Sequence, residues 1–534
     1  MNQLSIGFNH QPPVVQQASF SVAAGETLAI VGESGSGKSL SLLAVLGLLP
    51  ASAQVTGERW FNGIALHELD ARAYRQLRGA QIGYVSQDPL SNLHPLKSVG
   101  EQIEEAIQAH QRLGRRALRR RVIELLEEVG IREAAQRYHH RPAQFSGGMR
   151  QRVMIAMAIA LNPKLIIADE PTTALDVTVQ AAILQLLKRL QQQHGCALLL
   201  ISHDLRVVAD IADRVVVMQH GRVVEQGDKN RLFHQPGHPY TRALLQAGWH
   251  QHAPQAARTA AGPPLLRVHA LTRHFTRRAG FSRRTQQVLK GISFELNKGE
   301  ILGLVGESGS GKTTLGRVLV GLDRADQGHI QLNDSAWQQA GQRIPPDHPL
   351  RYAVQMVFQD PYNSLNPRRR VADILSDPLQ LTQQRETGQR LNAEPLAQAI
   401  GALLQTVELA PELSRRYPAQ LSGGQRQRVA IARALAMKPQ LIVADEAVSA
   451  LDITTQHRIL QLLMRLRREQ ALSLLFISHD LSAVAALCDR VLVLQAGEII
   501  EQGSSEQIFN RPQQAWTRQL LAAIPGQKVF AGEV

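Results

Sequence analysis

Two short runs of the chain carry the residues that a phosphoryl group needs. Gly32, Glu33, Ser34, Gly35, Ser36, Gly37, Lys38 and Ser39 spell GxxxxGK[ST]; Gly306, Glu307, Ser308, Gly309, Ser310, Gly311, Lys312 and Thr313 spell it again. Glycines at this spacing let successive backbone N–H groups turn toward one anion. The lysine reaches the outer phosphates, and the hydroxyl after it can ligate Mg2+. Asp169–Glu170 and Asp445–Glu446 close apolar runs at 165–168 and 441–444. Paired carboxylates at the end of a buried strand face the ligand crevice of an open α/β sheet. The first of each pair suits water-mediated Mg2+ binding; the second suits a base that positions an attacking water. Set alone, such a pair could equally be acids placed near a helix N-terminus.

Three further pairs recur in the same order. His203 and His479 follow apolar strands in Ile-Ser-His-Asp. One histidine there would be an ordinary polar residue at a strand end; its repetition favours a γ-phosphate contact. Gln87 and Gln359 stand in Gln-Asp-Pro after apolar runs, where an amide can ligate Mg2+ and touch the attacking water. Ser146-Gly147-Gly148 and Ser422-Gly423-Gly424 precede helical stretches at 149–161 and 425–437. A serine before two glycines at a helix start is an anion site by geometry. It lies over a hundred residues past the phosphate loop of its own half, so the phosphate it serves could belong to the other half.

The elements that must position these groups are also written twice. The motifs recur at near-constant offsets of 274 (312−38) and 276 (477−201) residues, which means two homologous domains in tandem rather than a solenoid of short repeats. Thr27–Val31 is a short apolar run entering the first Gly-rich loop, and 39–48 has helical character. The runs 165–168 and 197–201 are fully apolar, as buried parallel strands are. A helix-rich stretch covers 99–128. Each half therefore reads as an α/β core with a helical insertion. The segment 251–264, rich in Ala, Gln and Pro, reads as a linker, and 335–349 as a surface loop. The expected domains are 1–250 and 267–534, joined by 251–266.

The bulk properties fit this picture. Of 534 residues, 44% are hydrophobic and 19% charged, which suits a globular chain and excludes a mainly disordered one. Two cysteines, Cys196 and Cys488, exclude a disulfide scaffold and any site built mainly from thiolates. They read as buried residues, Cys196 beside a strand and Cys488 on a helix. No run is apolar over the 18 or so residues that span a bilayer, and the first residues show no signal-peptide pattern. The formal charge of +14 would suit nucleic acid, anionic lipid or nucleotide phosphates equally.

Taken together, these residues resemble one family, the ATP-binding-cassette (ABC) ATPases, over nearly the whole chain and in every diagnostic motif of both halves. The resemblance implies two tandem nucleotide-binding domains, each a P-loop α/β core with antiparallel β and helical subdomains. It implies a head-to-tail intramolecular pair of domains with two ATP molecules and Mg2+ between them. Site one would pair Lys38, Ser39, Gln87, Asp169, Glu170 and His203 with Ser422, Gly423, Gly424 and Gln425. Site two would pair Lys312, Thr313, Gln359, Asp445, Glu446 and His479 with Ser146, Gly147, Gly148 and Met149. Asp176 and Asp452 match the loop linking the sites, and Phe8 and Phe275 are the candidates for stacking on adenine.

The run from Phe358 to Pro367 looks like the glutamine loop of oligopeptide, dipeptide and nickel importers. His238-Pro239-Tyr240-Thr241 looks like their C-terminal extension, with a degenerate copy at Gln514-Ala515-Trp516-Thr517. The fused layout is similar to the single-chain ATPases of microcin C and oligopeptide importers. This resemblance implies ATP hydrolysis that powers peptide import from the cytoplasmic face of the membrane. Its partners would be two integral-membrane permeases and a solute-binding protein, with no nucleic acid. Glutathione and opine importers share the subfamily.

Three departures stand out. Met149 replaces the usual glutamine and Phe145 the usual leucine around Ser-Gly-Gly. Ala447-Val448 replaces Pro-Thr after Glu446. The subfamily's cysteine cluster is missing, against an iron–sulfur centre. Two hydrolytically competent sites are still expected, because both glutamates and both histidines remain. The rival reading is a twin-cassette ATPase acting on ribosomes or RNA, supported by the charge and by Arg115, Arg116, Arg119, Arg120 and Arg121. The short linker, without a charged helix, opposes it, and those arginines read as a solvated helix face.

Overall fold

The computed structural model describes residues 1–8, 12–173, 175–249, 263–279, 282–342, 344–345, 348–448 and 451–526. The chain forms two compact units. One holds Met1–Gly248 and takes up the chain again from Ile524; the other holds Trp249–Ala523. Most of the expected linker lies outside the described residues, but the strand Pro264–Ala279 already begins within its last residues.

In the first unit the apolar runs pair side by side because no polar face is left to turn toward water. Thr27–Val31, Ala197–Ile201 and Leu165–Asp169 are buried at every position. Strands buried on both faces belong in a parallel sheet covered by helices. The six-stranded sheet runs Arg222–Asp228, Arg214–Gln219, Thr27–Val31, Ala197–Ile201, Leu165–Asp169, Ile82–Val85. All neighbours are parallel except the first pair. A separate antiparallel sheet joins Val15–Ala18, Asn2–Phe8 and Ala53–Glu58.

The second unit repeats the plan. Its larger sheet runs Val354–Val357, Leu441–Asp445, Ser473–Ile477, Ile301–Val305, Arg490–Gln495, Glu498–Ser504, antiparallel only at the last pair. Its smaller sheet has four antiparallel strands, Ser282–Asn297, Pro264–Ala279, Gln327–Leu332 and Ser335–Gln339.

The helix-rich stretch resolves into Val99–Gln108 and Arg115–Glu128. Ser98 and Glu101 close a capping box on the first of these, which satisfies two orphan donors at its start. Ile103, Ile107, Leu118, Val122 and Leu125 face a core shared with Gly147–Ile159. Arg115, Arg116, Arg119 and Arg120 are exposed on the other face and Arg121 is half-buried, so the basic cluster is the outer face of an amphipathic helix.

Both units end in a helical extension fastened the same way. Glu225, on an edge strand, accepts from the N–H groups of Gly237 at 2.7 Å and His238 at 3.1 Å, just before the helix Pro239–Trp249. Glu501 accepts from Gln513 at 2.7 Å and Gln514 at 3.2 Å, just before Ala515–Ala522. The second extension is therefore degenerate in sequence but fully built.

Two expectations are corrected. The segment 335–349 is not simply a surface loop: Ser335–Gln339 is a strand, and Trp337 within it is only 3% exposed, its indole N–H donating to Leu319 O at 2.7 Å. Its polar neighbours hid one large anchor. Cys488 does not lie on a helix but directly after Leu481–Leu487, in extended backbone; it and Cys196 are buried free thiols. Replacing Trp337 with alanine removes a buried aromatic and orphans the Leu319 carbonyl. The expected cost is about 3–5 kcal/mol, read as a lower denaturation midpoint of the second unit by tryptophan fluorescence.

Candidate functional site

Each Gly-rich loop leaves a fully buried strand and runs into a helix, Lys38–Leu46 or Lys312–Leu319. The turn requires glycine at its first position. A Cβ on Gly32 would drive into the Met218 carbonyl oxygen, and one on Gly306 into that of Leu494. The lysines are nearly buried, 5% and 6% exposed, and their ammonium groups hold the loop's own carbonyls. Lys38 Nζ donates to Gly32 O at 2.7 Å and Glu33 O at 2.8 Å; Lys312 Nζ donates to Gly306 O and Glu307 O at 2.8 Å. A buried cation beside a helix N-terminus, inside a cradle of backbone amides, fits a phosphate chain.

The parallel sheet brings the other groups to this loop. The Ser39 hydroxyl donates to Asp169 Oδ1 at 3.1 Å, and the Thr313 hydroxyl to Asp445 Oδ1 at 3.2 Å. A hydroxyl and a carboxylate side by side are hard oxygen donors, the set that suits Mg2+. Glu170 gathers three side chains on one oxygen. Gln87 Nε2 donates at 2.8 Å, the Thr173 hydroxyl at 3.0 Å, and His203 Nδ1 lies 3.3 Å away. Glu446 receives Gln359 Nε2 at 2.6 Å and has His479 Nδ1 at 3.4 Å.

Both glutamates sit in left-handed backbone, φ 46° and 48°. That conformation strains a residue with a Cβ by roughly 1–2 kcal/mol. It is held by a hydrogen bond to the neighbouring strand, Glu170 N–H to Ile201 O at 3.1 Å and Glu446 N–H to Ile477 O at 2.9 Å.

The two carboxyls of each pair are driven apart. Burial pushes Asp169 up, against the Ser39 hydrogen bond; burial and the Glu446 charge push Asp445 up to about 6. Burial acts the same way on Glu170 and Glu446, but the hydrogen bond and charge of His203 and His479 outweigh it and hold both glutamates below the usual range. Burial in turn would lower the histidines, while the glutamate partners raise them above their ordinary value. Neighbouring carboxyls with opposed environments take different roles.

Ser146 and Ser422 are engaged differently. Each caps its own helix, Gly147–Ile159 or Gly423–Leu435, accepting from Met149 N–H at 3.4 Å and from Gln425 N–H at 3.3 Å. Gln425 returns the bond, accepting from Ser422 N–H at 3.0 Å. Met149 has no amide oxygen to do so; its sulfur accepts from Arg137 at 3.4 Å. Phe145 is buried as Leu421 is. Asp176 and Asp452 cap Val177–His194 and Ile453–Gln470 through the Val179 and Thr455 N–H groups. Phe8 is half-buried against the first core. Phe275 is exposed, with the Arg273 guanidinium 4.7 Å from its ring centre.

Thr173 was not read from the sequence, and Tyr240 was read only as part of the C-terminal extension, not as a residue of this site. Thr173 stands three residues after Glu170 and could have been found as a hydroxyl within reach of it. Tyr240 Oη accepts from Glu33 N–H at 3.1 Å; 207 residues separate the two, and no local pattern announces such a contact.

Comparison with known proteins identifies the family. Residues 15–173 and 289–449 each match the ABC transporter family profile, and 224–274 match the family described as oligopeptide/dipeptide transporter, C-terminal region. The chain is 46% identical over 533 residues to the uncharacterized ABC transporter ATP-binding protein YejF of Escherichia coli K12, covering 98% of both chains. It is 43% identical over 564 residues to the glutathione import ATP-binding protein GsiA of Salmonella typhimurium LT2, covering 98% of this chain and 88% of that one. Among solved structures, the dimeric ATP-binding cassette MJ0796 bound to ADP and Pi aligns with TM-score 0.40 and 28% identity, over 45% of this chain and 98% of that one.

The chain belongs to the ABC transporter family, as an ATP-binding and ATP-hydrolysing subunit carrying two cassettes and the oligopeptide/dipeptide-type extension. Both matched profiles describe transporters, so the transport reading stands over the ribosome- or RNA-directed one.

Gly306→Ala tests the loop geometry. The Leu494 carbonyl is backbone and cannot yield, so the loop must shift at a cost of about 1–3 kcal/mol. ATP binding to the second half should weaken by about five- to a hundredfold, measured by nucleotide titration beside an unaltered first half.

Proposed function

We propose that each half hydrolyses one ATP, and that the chain thereby powers the import of short peptides or peptide-like solutes such as glutathione through separate membrane permeases. The observation that supports hydrolysis best is the repeated cluster at Glu170 and Glu446. Each glutamate is ionised, oriented by an amide and an imidazole, and set beside a phosphate cradle. In this reading Lys38 and Lys312 hold the β- and γ-phosphate oxygens. Ser39, Asp169 and Gln87, with Thr313, Asp445 and Gln359, are the groups that would hold Mg2+. When bound there, the ion neutralises charge on the phosphoryl oxygens. Glu170 or Glu446 accepts a hydrogen bond from the water that attacks in line. His203 or His479, held by its glutamate, donates to the γ-phosphoryl oxygens as negative charge develops.

The serines Ser146 and Ser422 complete the reading. In this reading each Ser-Gly-Gly helix start offers its serine hydroxyl and backbone N–H groups to a nucleotide phosphate. Met149 and the missing reciprocal cap make the Ser146 side the less rigid of the two. The cargo class rests on the oligopeptide/dipeptide-type extension and on the glutathione importer among the relatives. Among the described residues no helix is long and apolar enough to cross a membrane. In this reading the chain sits peripherally on the cytoplasmic face and works with two permeases and a solute-binding protein.

Two measurements test these statements. Glu170→Gln and Glu446→Gln should each lower steady-state ATP turnover, and the double variant should lose about 10²- to 10⁴-fold. A single variant with parental turnover would sink the two-site reading. Purification of the tagged native chain in mild detergent should bring down two multi-span permeases, identified by mass spectrometry. Recovery of ribosomal proteins or RNA in their place, surviving a high-salt wash, would overturn the transport assignment.

A further inference from the structure

The peptide group between Gly32 and Glu33 is held from both sides. Its carbonyl, Gly32 O, accepts from Lys38 Nζ at 2.7 Å, and its N–H, on Glu33, donates to Tyr240 Oη at 3.1 Å. Tyr240 lies in the first turn of Pro239–Trp249, whose lead-in is fixed to the edge strand by Glu225 at 2.7 and 3.1 Å. A partner on the N–H side polarises a peptide and strengthens its carbonyl as an acceptor. The hydroxyl therefore acts on the same peptide that holds the phosphate-binding ammonium.

The second half repeats the lysine contact and the fastening of the extension. Lys312 Nζ donates to Gly306 O at 2.8 Å, and Glu501 fixes the second extension. At the place of Tyr240, however, stands Trp516 (516−240 = 276). An indole N–H only donates and cannot accept a backbone N–H.

We propose that Tyr240 is a positioning residue for the first nucleotide site alone: its hydroxyl fixes the Gly32–Glu33 peptide that holds Lys38, so the C-terminal extension sets the ATP affinity of the first half and not of the second. This rests on the phosphate-loop reading of 32–39. It makes the two sites unequal through a residue outside the nucleotide motifs.

The test uses the full chain with one loop silenced. In a Lys312→Ala background, Tyr240→Phe keeps the ring and removes the hydroxyl. First-site ATP affinity, read by equilibrium titration with a fluorescent ATP analogue and competition by ATP, should fall about two- to tenfold. In a Lys38→Ala background the same change should leave second-site affinity unaltered. Glu225→Gln, which loosens the lead-in, should weaken the first site when Tyr240 is present and add nothing to Tyr240→Phe. Unchanged first-site affinity, equal losses at both sites, or simple addition of the two effects would each overturn the proposal. If the Lys312→Ala chain with Tyr240 intact binds no ATP, the phosphate-loop reading itself fails and takes the proposal with it.

Discussion

The register of three buried parallel strands is the constraint on which both units depend. Ile30 stands beside Ile201, and Ile201 beside Asp169; in the other unit Leu304, Ile477 and Asp445 align in the same way. Because these strands are apolar on both faces, alternation cannot choose between registers as it does in a half-exposed sheet. The ends of the strands must fix it. The Glu170 and Glu446 N–H groups each bond across to the last carbonyl of the neighbouring strand, so the residue that closes the ladder is also the one whose carboxylate gathers the amide and the imidazole. The hydroxyl–carboxylate and carboxylate–imidazole contacts then join residues that lie far apart in the chain.

That shared position carries a conflict. A glutamate is a poor choice for left-handed backbone, where glycine or asparagine would relax the chain. It is also a poor choice for burial, which opposes its charge. The surrounding residues resolve the second conflict with an imidazole and an amide, and the cross-strand hydrogen bond overrides the first. Stability is therefore spent locally to keep one charged oxygen in place. The neighbouring aspartate, buried and lacking the imidazole, is left with a raised proton affinity.

Much of this was legible because function is written in short motifs. The loops at 32–39 and 306–313, the acid pairs and the strand-end histidines could be placed on their elements from spacing and apolar runs, and the duplication doubled every signal. What stayed hidden depended on contacts distant in the chain or on a lone anchor. Trp337 holds a strand among polar neighbours, and no periodicity marks it. Tyr240 acts through where its hydroxyl ends up, 207 residues from its partner, which sequence offsets do not encode. The extension after Glu501 looked degenerate because its side chains changed, yet its fastening uses backbone N–H groups, and these are blind to side-chain identity.

The unequal caps at Ser146 and Ser422 take on a further meaning from the covalent joining of the halves. Were the cassettes made as separate polypeptides, the copy with methionine at its third helical position could meet another like itself, in proportions set by expression levels and mutual affinity. Within one chain, translation fixes the ratio at one of each in every molecule. A departure tolerable in one copy only can then persist, since no molecule is ever made with two of them. Fusion thus acts as a stoichiometric safeguard under which the two halves are free to differ in sequence.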